Sequence, residues 1–140
     1  MKLRGGGFWV LARLAVGVVF AYAGFMKLIE PVENFQAVIA AYRIMPPALA
    51  PIAARVVPWL EWIAGAFLVL GYLPRTSAGV ISLLSAAFSV LLAAGLVGGK
   101  GLPHDCGCFG ASGLHLSPPQ ALALDLVSLA LALRLACKEP

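Results

Sequence analysis

The chain has 140 residues, 61% of them hydrophobic and 11% charged, with a net charge of +4 and a mean hydropathy of +0.95. Soluble domains carry about 45–50% apolar and about 25% charged residues, and one water-soluble core of this length has too little interior to hide the surplus. Lipid is the solvent this composition suits, while disorder, a nucleic-acid module and a disulfide-dense secreted scaffold need low hydrophobicity, many exposed basic residues or many cysteines.

The first predicted span, Phe8 to Met26, is broken only by Arg13. Lys2, Arg4 and the following apolar run imitate a secretory signal, but Arg13 sits badly in such a region, and an uncleaved first helix is expected. A piece of different character follows, Glu30 to Ala54, punctuated by Pro31, Pro46, Pro47 and Pro51. Within it Phe35, Val38, Ile39 and Tyr42 fall at i, i+3, i+4 and i+7. They form one apolar stripe on a short helix that lies at the interface or covers the bundle.

Val56 to Leu73 is the second span, interrupted by Glu61 and ending at Gly71-Tyr72-Leu73-Pro74. The third is the clearest: Thr76 to Gly99 runs 24 positions without a charge, more than the roughly 20 residues a membrane helix needs. The last runs from about Pro119 to Cys137 with Asp125 inside, and Pro118-Pro119 suits a first helical turn. The expected architecture is all-α: a polytopic membrane protein, a four-transmembrane-helix bundle forming one domain over residues 1–140, with a short extra interfacial helix between the first two spans. Four spans put both termini on one side. Lys2, Arg4, Arg13, Arg75, Arg134 and Lys138 then stand against Lys27, Arg43, Arg55 and Lys100. The excess of positive charge places both termini in the cytoplasm and the loop 100–118 outside.

That loop holds two of the three cysteines, in Asp105-Cys106-Gly107-Cys108-Phe109-Gly110. A disulfide between residues i and i+2 closes a very small ring, which Gly107 permits and native geometry strains. Strained, exposed disulfides are labile and suit exchange with another protein's thiols. The pair Cys106 and Cys108 is redox-active in chemical type. A structural disulfide or idle thiols remain open, and His104 and His115 complete a Cys2His2 set whose spacing fits no common zinc pattern, so no metal is expected. Asp105 disfavours the Cys106 thiolate while a protonated His104 favours it, leaving the order of attack open. Cys137 reads as inert packing.

Charged residues inside spans are expensive and are functional candidates by default. By helical rise Lys27, Glu61 and Asp125 gather in the layer beneath the loop, Asp125 about 10 Å below the surface. Lys27 with Glu61 makes a natural ion pair, either a lock between two helices or a proton-handling pair. Arg13 lies nearer the inner face, where its side chain can snorkel to headgroups. Trp59 and Trp62 flank Glu61. Interfacial belting explains them, and flat aromatics beside a disulfide loop, Phe109 included, would also line a quinone pocket.

The segment from Arg13 through Gly17, with Phe20, Ala23-Gly24-Phe25 and Lys27-Leu28, then Pro46, Pro58-Trp59-Leu60-Glu61 with Gly65 and Gly71, and finally Asp105 through Gly110, resembles the methylamine utilisation protein MauE family, itself similar to DoxX-like four-helix membrane proteins. The likeness covers nearly the whole chain, and Cys-Gly-Cys-Phe-Gly is its specific part. It implies a role in maturing a disulfide-rich periplasmic client, the methylamine dehydrogenase small subunit or another such protein, alongside a thioredoxin-like partner. By the same resemblance Cys106 and Cys108 are the exchange pair, and Lys27 and Glu61 the matched motif charges. The leading expectation is an inner-membrane thiol:disulfide redox protein with quinone as candidate electron carrier and no covalently bound cofactor. Its partners are the lipid bilayer and a periplasmic thioredoxin-like protein, without nucleic acid. The rivals are a non-enzymatic assembly factor or anchor for a redox partner, and a DoxX-like quinone reductase or carrier for a small sulfur compound.

Overall fold

In a computed structural model, which describes residues 6–98 and 116–138, five helices follow one another: α1 (Gly7–Ile29), α2 (Val32–Tyr42), α3 (Ala50–Leu70), α4 (Pro74–Gly98) and α5 (Pro118–Lys138). All but α2 are long and apolar enough to cross a membrane. Each boundary has a local cause. Pro31 forces the preceding Glu30 into extended backbone (φ −96°, ψ 159°), ending α1. Arg43 closes α2 in the left-handed region (φ 55°), its N–H donating to the Ala40 carbonyl. At the end of α3, Gly71 (φ 72°) donates to the Leu68 carbonyl and Tyr72 to that of Phe67. That is the paired closure typical of a glycine-terminated helix. Pro74 opens α4 two residues later, giving a tight hairpin. At the start of α5, the Gln120 side-chain oxygen accepts the Ser117 N–H at 3.2 Å, half of a capping box.

The span read as Val56–Leu73 begins six residues earlier and stops at Leu70. Pro58 therefore sits inside α3. The correction has a simple origin: Pro51 falls in the first turn, where proline is tolerated, so the helix starts among residues whose prolines look like loop punctuation. Inside the helix, Pro58 has no N–H to offer the Ala54 carbonyl.

Two helix pairs carry the bundle, α1 with α3 and α4 with α5. The first pair is drawn together by small residues. A methyl group at Gly24 would stand 2.6 Å from the Pro58 carbonyl oxygen and 2.5 Å from the Trp62 nitrogen, and one at Gly65 would stand 2.7 Å from the Gly17 carbonyl oxygen. Only glycine admits backbones this close, the usual device where lipid offers helices no hydrophobic reason to associate. The central core joins all four long helices through Val16, Phe20, Leu68, Ile81, Leu84 and Leu135. Leu11, Val18, Leu70, Leu83, Val90, Val97 and Val127 point outward, as a lipid-facing surface requires.

The short helix α2 does not lie free at the interface. Its stripe packs onto the bundle: Phe35 and Ile39 join Ala50, Ala54 and Phe88, and Tyr42 joins Leu92 and Ala121. Since α1 ends, α3 begins, α4 ends and α5 begins near it, α2 covers the end of the bundle at which the chain leaves α4 at Gly98 and resumes at Leu116.

Candidate functional site: a buried ion pair under the short helix

The inward face of α1 comprises Arg13, Val16, Gly17, Phe20, Ala23, Gly24 and Lys27, one helical stripe that ends on a cation in the last turn, where the helix dipole favours it. The inward face of α3 comprises Ala50, Ala54, Pro58, Glu61, Ala64, Gly65 and Leu68. Because the glycine contacts bring these two stripes together, Lys27 and Glu61 meet without displacing either backbone. Lys27 Nζ donates to Glu61 Oε1 at 3.0 Å and to Oε2 at 2.8 Å. Lys27 is 4% and Glu61 2% exposed.

Two aromatic rings complete the cation's surroundings. Lys27 Nζ lies 4.7 Å from the centre of the Phe35 ring on α2 and 4.9 Å from that of Phe88 on α4, both within cation–π range. Four elements therefore converge on one ammonium group. Excluding water strengthens the attraction within the pair, and the same exclusion makes a lone charge there very costly.

Asp125 on α5 borders the same place. A cavity of about 20 Å³ lies between Glu61 and Asp125, walled by Val19, Phe20, Ala23, Phe88, Ala121 and Leu124. Asp125 Oδ2 is buried and has no hydrogen-bond partner among the described residues. Lys27, Glu61 and Asp125 thus gather in one place as expected, while the loop expected above them lies outside the described residues.

Other candidates fall elsewhere. Trp59 and Trp62 stack edge to face, ring centres 6.4 Å apart, and are 54% and 39% exposed. They sit on the outer surface of α3 and not among the residues lining the cavity. Arg13 is 8% exposed and belongs to the buried face of α1. The snorkelling expectation is corrected, because the stripe that carries Lys27 inward carries Arg13 inward too. Cys137 is exposed and so is not a packing residue. Cys106, Cys108, Asp105, His104 and Phe109 lie outside the described residues.

The sequence reading missed Phe35 and Phe88 as partners of the cation. The α2 stripe signalled that Phe35 is buried, but not against what. Phe88 is one apolar residue in a long apolar run, and nothing local distinguishes it.

Four membrane-length helices enclosing a buried acid–base pair beneath a short capping helix define a small polytopic membrane protein of the bundle class. The family described as methylamine utilisation protein MauE matches residues 6–138, and the chain belongs to it. It is 32% identical over 133 residues to the methylamine utilization protein MauE of Paracoccus denitrificans, covering 94% of this chain and 69% of that protein. It is 34% identical over 100 residues to the protein of the same name from Methylophilus methylotrophus, covering 71% of this chain and 51% of the relative. The chain thus spans about two thirds of the first relative and half of the second. No solved structure matches it.

Proposed function

We propose that this protein exchanges disulfides with a periplasmic thioredoxin-like partner through Cys106 and Cys108, serving a disulfide-containing client such as the methylamine dehydrogenase small subunit. The observation that carries the reading is the pair of cysteines one glycine apart in the segment of sequence between α4 and α5. Membership of a family whose relatives bear the name methylamine utilization supports the setting.

In the oxidising direction, a partner thiolate attacks one sulfur of the Cys106–Cys108 disulfide, and the other leaves as a thiolate. The partner's second thiolate then attacks the mixed disulfide, leaving the partner oxidised and the loop a dithiol. The dithiol returns two electrons and two protons to a quinone, which becomes quinol, and the disulfide re-forms. The inner cavity of about 20 Å³ has room for a water but not for a quinone ring. A quinone from the lipid is therefore read as meeting the outward Trp59–Trp62 pair, in the inner membrane with the loop on the periplasmic side.

Trapping tests the reading. Cys106→Ser or Cys108→Ser alone is expected to accumulate a mixed disulfide with a periplasmic thioredoxin-like protein, visible on non-reducing gels, and the double variant to accumulate none. Single variants that trap nothing would leave the rival reading, an anchor with structural cysteines.

A further inference from the structure

The bundle interior holds a second chemical feature that does not depend on the cysteines. Asp125 Oδ2 is buried without a hydrogen-bond partner among the described residues, and the cavity it borders with Glu61 measures about 20 Å³. An unsatisfied carboxyl oxygen in hydrocarbon is strongly disfavoured. A space of more than about 10–15 Å³ accepts a water when at least two polar groups can bond it. Asp125 Oδ2 and the Glu61 carboxylate are two such groups, since Lys27 donates one bond to each Glu61 oxygen and leaves lone pairs free on both.

A smaller void of about 10 Å³ lies under α2, lined by Phe35, Val38, Tyr42, Phe88 and Leu92 among others. Phe88 borders both voids. The charged groups facing Asp125 are Lys27 from α1 and Glu61 from α3. The side contributed by α4 is Phe88, α4 carries no charge after Arg75, and α2 contributes no residue to the cavity lining.

We infer that Asp125, Glu61 and one water in the cavity between them form an internal proton-exchange site, reached from the capped end of the bundle past Phe88. A hydronium arriving under α2 passes its proton to the cavity water and thence to the Asp125 carboxylate, giving the carboxylic acid and neutral water. Release reverses the route, and no electron moves. The Lys27–Glu61 pair fixes one side of the water and Asp125 carries the exchangeable proton. This goes beyond the disulfide reading, because every group involved lies on the helices.

Infrared difference spectroscopy on the purified full chain in lipid nanodiscs tests it, with water as the probe. A pH step is expected to produce a carboxylic C=O band that shifts when H2O is exchanged for D2O, is lost in Asp125→Asn and persists in Cys106→Ser/Cys108→Ser. Phe88→Ala should speed the D2O shift. A wild-type band that fails to shift in D2O, or an unchanged difference spectrum in Asp125→Asn, overturns the proposal. Should Asp125→Asn not fold, the wild-type exchange and its acceleration in Phe88→Ala still decide. Trapping in Cys106→Ser reads the disulfide reading by itself, while the infrared band is read in the Cys106→Ser/Cys108→Ser background, which separates failure of this proposal from failure of the disulfide reading.

Discussion

Lys27 and Glu61 are each tolerable only because the other is there. A buried ion pair exchanges hydration for mutual attraction and two hydrogen bonds, a balance that gives little net stability. Loss of one partner is different, because the remaining charge has no water to turn to. Lys27→Met or Glu61→Met alone should lower the unfolding free energy by about 3–5 kcal/mol, whereas the double variant should recover most of it. Chemical denaturation in detergent, run as a double-mutant cycle, measures this. Additive single effects would show that the pair is not coupled. The convergence of the two residues was legible in the sequence because charges are rare in these spans and helical rise gives each a depth. The aromatic enclosure was not, since Phe35 and Phe88 reach Lys27 from helices whose rotation about their axes no local pattern sets.

At the scale of elements, the close pairing of α1 with α3 positions the site. The stripe carrying Lys27 meets the stripe carrying Glu61 because Gly17, Gly24 and Gly65 let the backbones touch. Gly24→Ala should destabilise by about 1–3 kcal/mol, the usual cost of forcing atoms into a filled interface. Gly79 on α4 is the control, for a methyl group there meets nothing within 4 Å, and Gly79→Ala should gain up to about 1 kcal/mol from helix propensity alone. Thermal unfolding of the two variants side by side checks this, and equal effects would refute the close-packing account. α2 shows where sequence reading stops. Its i, i+3, i+4, i+7 stripe requires a buried face, and the same pattern would serve a helix lying on lipid or one lying on protein. The packing of Phe35 and Tyr42 onto α4 and α5 selects the second, and with it the shielding of Lys27.

For the whole molecule, four spans place both ends of the bundle's cysteine-bearing segment on the side that α2 covers. If the positive charge excess lies inside, as the proposed topology has it, Cys106 and Cys108 should react with a membrane-impermeant thiol reagent in intact cells after reduction. Cys137, exposed at the other end of α5, should react only once the membrane is opened. The reverse pattern would overturn the proposed topology and, with it, the proposal of a periplasmic partner. Composition alone determined that the protein lives in lipid, because 61% apolar residues exceed what a small soluble core can hide. The apolar runs determined the number of spans, since membrane thickness sets helix length. The start of α3, the inward turn of Arg13, the outward turn of the tryptophans and the water-sized space beside Asp125 were decided only by tertiary structure. Each depends on how far a helix is rotated and how closely it meets its neighbour, and in lipid those are set by packing between helices and not by hydrophobicity along them.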